Sequence, residues 1–273
     1  MTSDRVRRLD ARDAGPVATL LDADPLVTVY LRSEVRLGAL RTGRWWGWER
    51  PDGELAGLVV GGPLVVPVLP DPAAVVPLAR TLDRQPPPQL MTGQRDQVHA
   101  IHGAQRPSPR PREVRDPQPL LALHRGGLRV APAPAVRRGA HADLDRLTVA
   151  SAAMHREEMG VDPLVHDPGL WRMRMATFIE RRWSFVWEDR GTIIFKAELS
   201  AWTPDACLLQ GVFTDPSRRG QGIGTAGMAA VCAALLAEVP VCVLYVNHYN
   251  EPARRLYATL GFEPVDDFAT LFF

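Results

Sequence analysis

Apolar positions recur along the chain with two periods, and the places where the period changes mark two runs of elements in nearly the same order. In the second half, Asp143 precedes Leu144, Leu147, Ala150 and Met154, the spacing of one helix face, and a further helix is expected over 170–182. Strand-like runs follow at 184–187, 192–199 and 207–214, the first two joined by the hairpin-type link Glu188-Asp189-Arg190-Gly191. A glycine-rich loop then leads into a helix over about 222–238, a buried strand at 241–246, a helix at 251–260 and a short strand near 269–273.

The first half repeats much of this order. Helices are expected at 14–21 and 25–37, strands at 45–49, 55–60 and 64–69, a helix at 73–83, a strand at 89–92, a helix at 96–104 and a strand around 120–124. Pro132 and Pro134 lie in a turn-rich stretch over 131–139, where a domain boundary is expected. A split at Val136 gives halves of 136 and 137 residues with one topology, the sign of an internal duplication. The expected domains are 1–130 and 137–273, and the fold class is α+β with a mixed sheet.

Composition narrows function mainly by exclusion. The 273 residues include 32 Lys plus Arg against 31 Asp plus Glu, a net charge of +1, so no extended basic field invites nucleic acid or an anionic membrane. The arginines at 106, 110, 112 and 115 alternate with prolines and lack stacking aromatics, which reads as a solvated loop. Cys207, Cys232 and Cys242 lie in apolar runs without metal-ligand spacing, so reduced thiols, a cytoplasmic setting and no metal site are expected. The first residues contain no stretch of signal-peptide character, and the most apolar windows are cut by Gly61, Gly62 and Pro63 or by Glu238 and Pro240, so no membrane span is expected.

The chemistry concentrates in one loop. After the strand ending Gln210-Gly211-Val212-Phe213-Thr214, the chain reads Asp215-Pro216-Ser217-Arg218-Arg219-Gly220-Gln221-Gly222-Ile223-Gly224-Thr225. Glycines at alternate positions let successive amides converge, and a helix N-terminus adds unpaired donors and about half a positive charge, which suits an anion such as phosphate. Arg218 and Arg219 are expected to add charge beside that nest. Gly222-Ile223-Gly224-Thr225-Ala226-Gly227 also satisfies G-x-G-x-x-G, but a dinucleotide fold would want an acid about 20 positions on, where this chain has Asn247. A nucleoside-triphosphate loop would end in Gly-Lys-Ser/Thr, which is absent.

Arg219-Gly220-Gln221-Gly222-Ile223-Gly224 resembles the R-x-x-G-x-G/A signature of the GNAT superfamily of N-acyltransferases. Asn250-Glu251-Pro252-Ala253-Arg254-Arg255-Leu256-Tyr257-Ala258-Thr259-Leu260-Gly261-Phe262 is similar to that family's N-x-x-A-x-x-L-Y-x-x-x-G-F segment. The resemblance is strong over 207–262 and topological from 136 onward. The first half is similar in element order alone, since its link Pro67-Val68-Leu69-Pro70-Asp71-Pro72 has three prolines and no glycine. The whole resembles tandem GNAT proteins with a divergent, cofactor-free first half.

The resemblance implies acetyl-CoA as co-substrate, with its pyrophosphate on Arg218, Arg219, Gly220, Gln221, Gly222, Ile223, Gly224 and Thr225. It implies the pantetheine arm along Val212, Phe213 and Thr214, an amide near Val212 polarising the thioester, and further contacts from Asn247 and Asn250, of which Asn250 equally suits helix capping. It makes Tyr257 the acid that protonates the departing thiolate, with plain packing as the alternative. No acid lies on 207–212; alternation puts Lys196 and Glu198 on one strand face, so Glu198 is the candidate base or else a partner for Lys196. His155, Glu157, Glu158 or solvent are the other candidates. The implied reaction is acetyl transfer to the primary amine of a small molecule or protein; an acyl-CoA-binding regulatory protein is the competing class. Acceptor and oligomeric state are not encoded in any motif, and Trp171, Trp183, Trp187 and Trp202 suit core packing as well as a pocket.

Overall fold

The computed structural model describes residues 5–133 and 135–273; the first four residues, part of the stretch expected to carry no signal peptide, and Pro134 of the turn-rich stretch lie outside them. In chain order the elements are β1 (Arg5–Leu9), α1 (Ala14–Asp22), α2 (Val29–Arg36), β2 (Arg44–Glu49), β3 (Leu55–Gly61), β4 (Leu64–Val68), α3 (Val75–Leu82), β5 (Leu90–Gln94), α4 (Arg95–Ala104) and β6 (Glu113–His124). There follow β7 (Arg137–Arg138), α5 (Leu144–Met159), α6 (Pro163–His166), α7 (Pro168–Glu180), β8 (Ser184–Asp189), β9 (Thr192–Trp202), β10 (Ala206–Thr214), α8 (Ile223–Leu236), β11 (Val241–Tyr245), α9 (Glu251–Leu260) and β12 (Glu263–Phe272).

Two compact units result. One comprises Met1–Leu121, Tyr245–Asn250 and Pro264–Phe273; the other Ala122–Leu244 and Glu251–Glu263. In the first, strands run β1-β2-β3-β4-β5-β12, antiparallel through β4, parallel between β4 and β5, and antiparallel again where Phe268 meets Gln94 and Phe272 meets Leu90. In the second, β7-β8-β9-β10 are antiparallel and β10 pairs β11 in parallel. The sense of successive strands is therefore the same in both, an α+β mixed sheet built twice.

Apolar faces explain the layers. In the first unit Val59, Leu78, Met91, Val98 and Ile101 form one core beneath α3 and α4, while Leu58 packs with Val17, Leu21 and Leu31 of α1 and α2 on the other. β3 is buried on both faces, which is why 55–60 reads as a nearly unbroken apolar run rather than an alternation. In the second unit Leu144, Leu147, Met175, Phe178, Val186 and Ile193 make the corresponding core of α5, α7 and the sheet. The opposite helix, α8, is apolar nearly all round and buries eight residues.

The duplication is written in charges as well as in topology. Arg7 donates to Asp13 (2.7 Å) and to Glu49 (2.6 Å), and the Asp10 amide donates to the Asp13 carboxylate (2.8 Å). Arg137 donates to Asp143 (2.6 and 2.9 Å), lies 3.6 Å from Glu188, and the Ala140 amide donates to Asp143 (2.8 Å). Each set ties the first strand, the entry to the first helix and the next strand together.

Several boundaries differ from the sequence reading. β1 and β7 were not expected, because their charged runs Arg5-Val6-Arg7-Arg8 and Arg137-Arg138 lack an apolar pattern. The helix expected from 25 starts at Val29, and the strand near 269 extends back to Glu263 through the acidic pair Asp266 and Asp267. β6 begins at Glu113 and carries Pro117 and Pro119, residues that normally argue against a strand interior. The four-residue α6 had no periodic signal to find.

Candidate functional site

Two strands that part company create the site. β10 pairs β11 only at Ala206, Cys207 and Leu208, whereas its antiparallel register with β9 continues to Thr214. Past Leu208, β10 therefore leaves β11, and the chain turns at Asp215, whose amide donates to the Ile194 carbonyl (3.0 Å) and whose carboxylate accepts from the Ser217 amide (2.9 Å). Gly220 (φ +73°) and Gly222 (φ +77°) take the left-handed conformation that delivers the backbone to α8. A Cβ at either would meet no protein atom within 4 Å, so what these glycines keep clear is space outside the protein. Gly224 and Gly227 serve packing instead: a Cβ would fall 3.1 Å from Thr214 Oγ1 at one and 2.7 Å from the Phe195 ring at the other.

Among the described residues, no protein acceptor meets the amides from 220 to 225, and α8 has no acidic residue in its first turn. The first amides of a helix have no partner within it, so this row presents bare donors with the positive end of the helix dipole behind them. The side chains of Ile223 and Phe213 are buried, while Gln221 donates to the Ser217 carbonyl (3.3 Å).

The arginines are less free than expected. Arg218 donates to Asp189 (2.8 Å), and Arg219 makes a bidentate pair with Glu157 of α5 (both 2.7 Å) while its Nε donates to the Thr214 carbonyl (3.1 Å). Their charges are compensated by carboxylates, so the unpaired positive potential comes from backbone. Arg219 holds the Glu157 carboxyl below its ordinary range.

Tyr257 of α9 is buried, with its ring edge-on to Phe262 at 5.6 Å. Burial, then Cys232 and Glu158, push its ionisation upward, so it stays protonated near neutrality. Glu198 lies in a buried ion pair: Lys196 Nζ donates to its Oε1 (2.8 Å), and so does Ser151 Oγ of α5 (3.2 Å). The His155 ring lies tilted against Trp171, with centroids 5.0 Å apart, and is disfavoured as a cation first by burial, then by Arg174. Trp171 and Trp183 pack against the α5–α7 core. Asn247 and Asn250 belong to the first unit, where Asn247 Oδ1 accepts from Gln118 Nε2 (2.8 Å) and the Asn250 amide donates to the Asn247 carbonyl (2.9 Å).

Gly261 has a local cause: at φ +102°, a Cβ would stand 2.3 Å from the Gly127 carbonyl oxygen. Sequence reasoning missed Ser151 and the carboxylate partners of Arg218 and Arg219, which carry no motif. The three thiols are free and buried, Cys207 and Cys242 facing each other at 3.7 Å. Among the described residues, no group of three His, Cys, Asp or Glu side chains is arranged to hold a metal, and no helix is long and apolar enough to cross a membrane.

Residues 152–262 match the Acetyltransferase (GNAT) family, and residues 43–147 match a domain of unknown function, DUF4081. The second half of the chain is thus similar to the GNAT acetyltransferase family over most of its length. Solved structures extend the likeness to the whole length. A GCN5-related N-acetyltransferase from Sphaerobacter thermophilus aligns with TM-score 0.65 and 17% identity over 98% of this chain and 94% of its own. A tandem GNAT protein from the clavulanic acid biosynthesis pathway gives 0.61 and 16% over 98% of each chain. A GNAT-family acetyltransferase from Colwellia psychrerythraea gives 0.61 and 12% over 98% and 99%. At these identities the likeness is one of fold, and that fold is two tandem GNAT-like domains. No sequence among the curated proteins compared matches the chain.

Proposed function

We propose that the protein transfers an acetyl group from acetyl-CoA to a primary amine, of a small molecule or of a protein, by direct attack on the thioester. The observation that carries this reading is the row of unpaired amides at 220–225, open to approach at Gly220 and Gly222 and backed by α8, beside the gap where β10 leaves β11. The pyrophosphate lies on those amides with Arg218 and Arg219 at its flank, and the pantetheine arm pairs with the main chain of Val212, Phe213 and Thr214. The Val212 amide polarises the thioester carbonyl, since preorganised donors stabilise the oxyanion that develops there. Tyr257 gives its proton to the thiolate as it leaves. Asn247 and Asn250 remain in the reading through the motif resemblance alone.

Glu198 is engaged by Lys196 and Ser151, so the amine proton is assigned to solvent. Residues 137–273 supply the cofactor domain, and residues 1–130 take no cofactor. Calorimetry with coenzyme A, followed by turnover of the Tyr257→Phe variant, is the test. One site per chain is expected, with a rate loss of about 10²-fold or more in the variant and nearly unchanged affinity. Two sites per chain, or no binding, would defeat the reading.

A further inference from the structure

Lys196 is the only lysine in the chain, and it is fully buried, with Glu198 at 3% exposure. Removing two charges from water costs several kcal/mol per ion, and apolar residues of similar volume are often as stabilising. Stability alone is a poor reason for this pair. What it grips is more informative: Lys196 Nζ donates to Glu198 Oε1 at 2.8 Å and to the Gly211 carbonyl oxygen at 2.9 Å.

Gly211 sits where the β9–β10 ladder breaks. Glu198 opposes Gln210 and Lys196 opposes Phe213, so two steps along β9 face three along β10, leaving one extra residue in a bulge. Gly211 has φ +60°, and a Cβ there would fall 2.5 Å from Glu198 Oε2 and 3.2 Å from Lys196 Nζ. The ion pair fills the space a side chain would need. A charged donor also holds its acceptor more firmly than a neutral one.

Peptide planarity carries the consequence onward. The Gly211 carbonyl and the Val212 amide belong to one rigid trans unit and point in opposite directions. Fixing the oxygen on Lys196 fixes the Val212 N–H facing away from it. We propose that Lys196 and Glu198 are positioning residues: together they lock the Gly211–Val212 peptide so that its N–H is aimed at the thioester carbonyl. This rests on the acyl-CoA reading given above, and gives Glu198 a role in place of a general base.

Isotope-edited infrared spectroscopy of acetyl-CoA carrying ¹³C at the thioester carbonyl, bound to the full chain, reads that polarisation without needing the acceptor amine. The wild-type complex is expected to show the carbonyl band below its frequency in free acetyl-CoA. In Lys196→Met/Glu198→Leu, which removes both charges together, the band returns most of the way to the free value. Its calorimetric affinity for coenzyme A stays within about threefold, because the amides at 220–225 are untouched. Circular dichroism and a cooperative melt verify folding. Should the double variant not fold, Glu198→Gln, which preserves side-chain shape and removes the counter-charge, takes the same measurement and is expected to show part of the loss. A wild-type band position in either folded variant overturns the positioning role and leaves the acyl-CoA reading standing. Failure of the wild-type chain to bind acetyl-CoA defeats that reading, and the positioning role with it.

Discussion

The link from β4 to α3 and the link from β10 to α8 occupy the same place in the two copies of the fold, and they spend their amides differently. In the first, the Leu69 amide donates to Gln97 Oε1 (2.8 Å), Ala73 to Asp71 Oδ1 (3.0 Å) and Ala74 to the Asp71 carbonyl (3.1 Å), while Pro70 and Pro72 have no N–H. In the second, the turn is satisfied early, by Asp215, and the amides from 220 to 225 stay open. A shared backbone course therefore does not imply a shared site. The difference lies in which donors are consumed by the protein, and a few prolines and glycines decide it.

The largest expected effect comes from closing the open link. Gly222→Val puts a β-branched residue at φ +77° and a side chain into the clear space, and should weaken coenzyme A binding roughly a hundredfold, about 2.8 kcal/mol by calorimetry. The reciprocal change, Pro70→Gly with Pro72→Gly, should create no second site, because the Leu69, Ala73 and Ala74 amides keep their acceptors. Binding of a second equivalent would show that the two links differ by less than their donors suggest.

A smaller contrast concerns the repeated carboxylates. Asp143, hydrogen-bonded chiefly by Arg137, is lowered from 3.8 to about 2, and Asp13 is lowered too, chiefly by Arg7. A depressed carboxylate stabilises the folded chain fully above its ordinary pKa, and that contribution is lost as pH falls toward the folded value. Asp143→Asn should cost about 2 kcal/mol at pH 7 and flatten the loss of stability between about pH 4 and 2 in melts across pH. Asp13→Asn should do the same to a lesser extent. Equal effects would mean that Arg146, which also reaches Asp143 (3.0 Å), adds nothing.

The smallest effect is expected at the rim of the loop. Glu157→Gln releases Arg219 from a pair that is about half exposed, and such pairs are worth under about 1 kcal/mol, so coenzyme A should bind about twofold to threefold more tightly. Weaker binding in the same titration would mean that Glu157 supports the ligand rather than competing for the arginine.

Much of this was legible in the chain because it depends on local backbone chemistry. Glycines at 220, 222 and 224, prolines at 67, 70 and 72, and the largely apolar runs of β3 and of the first part of β10 each fix a short stretch by themselves, and their expected positions agree with the structure to within a few residues. What could not be read depends on distant partners. Nothing in Phe268-Ala269-Thr270-Leu271-Phe272 says that it pairs with β5, because strand pairing over long separation leaves no periodic mark. The alternation of Lys196 and Glu198 gave their common face, yet their burial follows from the α5 and β10 packed against them, including Ser151 and the bulge at Gly211. Arg218 and Arg219 were legible as charges, and their carboxylate partners, 29 and 62 residues away, were not.

The pairing of β12 with β5 also sets a timetable for synthesis. Gln94 and Asp266, which hydrogen-bond across this pair, are 172 residues apart, so a ribosome adding about 5–20 residues per second reaches the second roughly ten to thirty seconds after the first. Throughout that interval Leu90-Met91-Thr92-Gly93-Gln94 presents an unfilled strand edge, the kind of surface that recruits stray strands from other chains. The nascent first unit is therefore exposed to aggregation while the intervening residues are made, and β12 is the segment whose emergence ends the exposure.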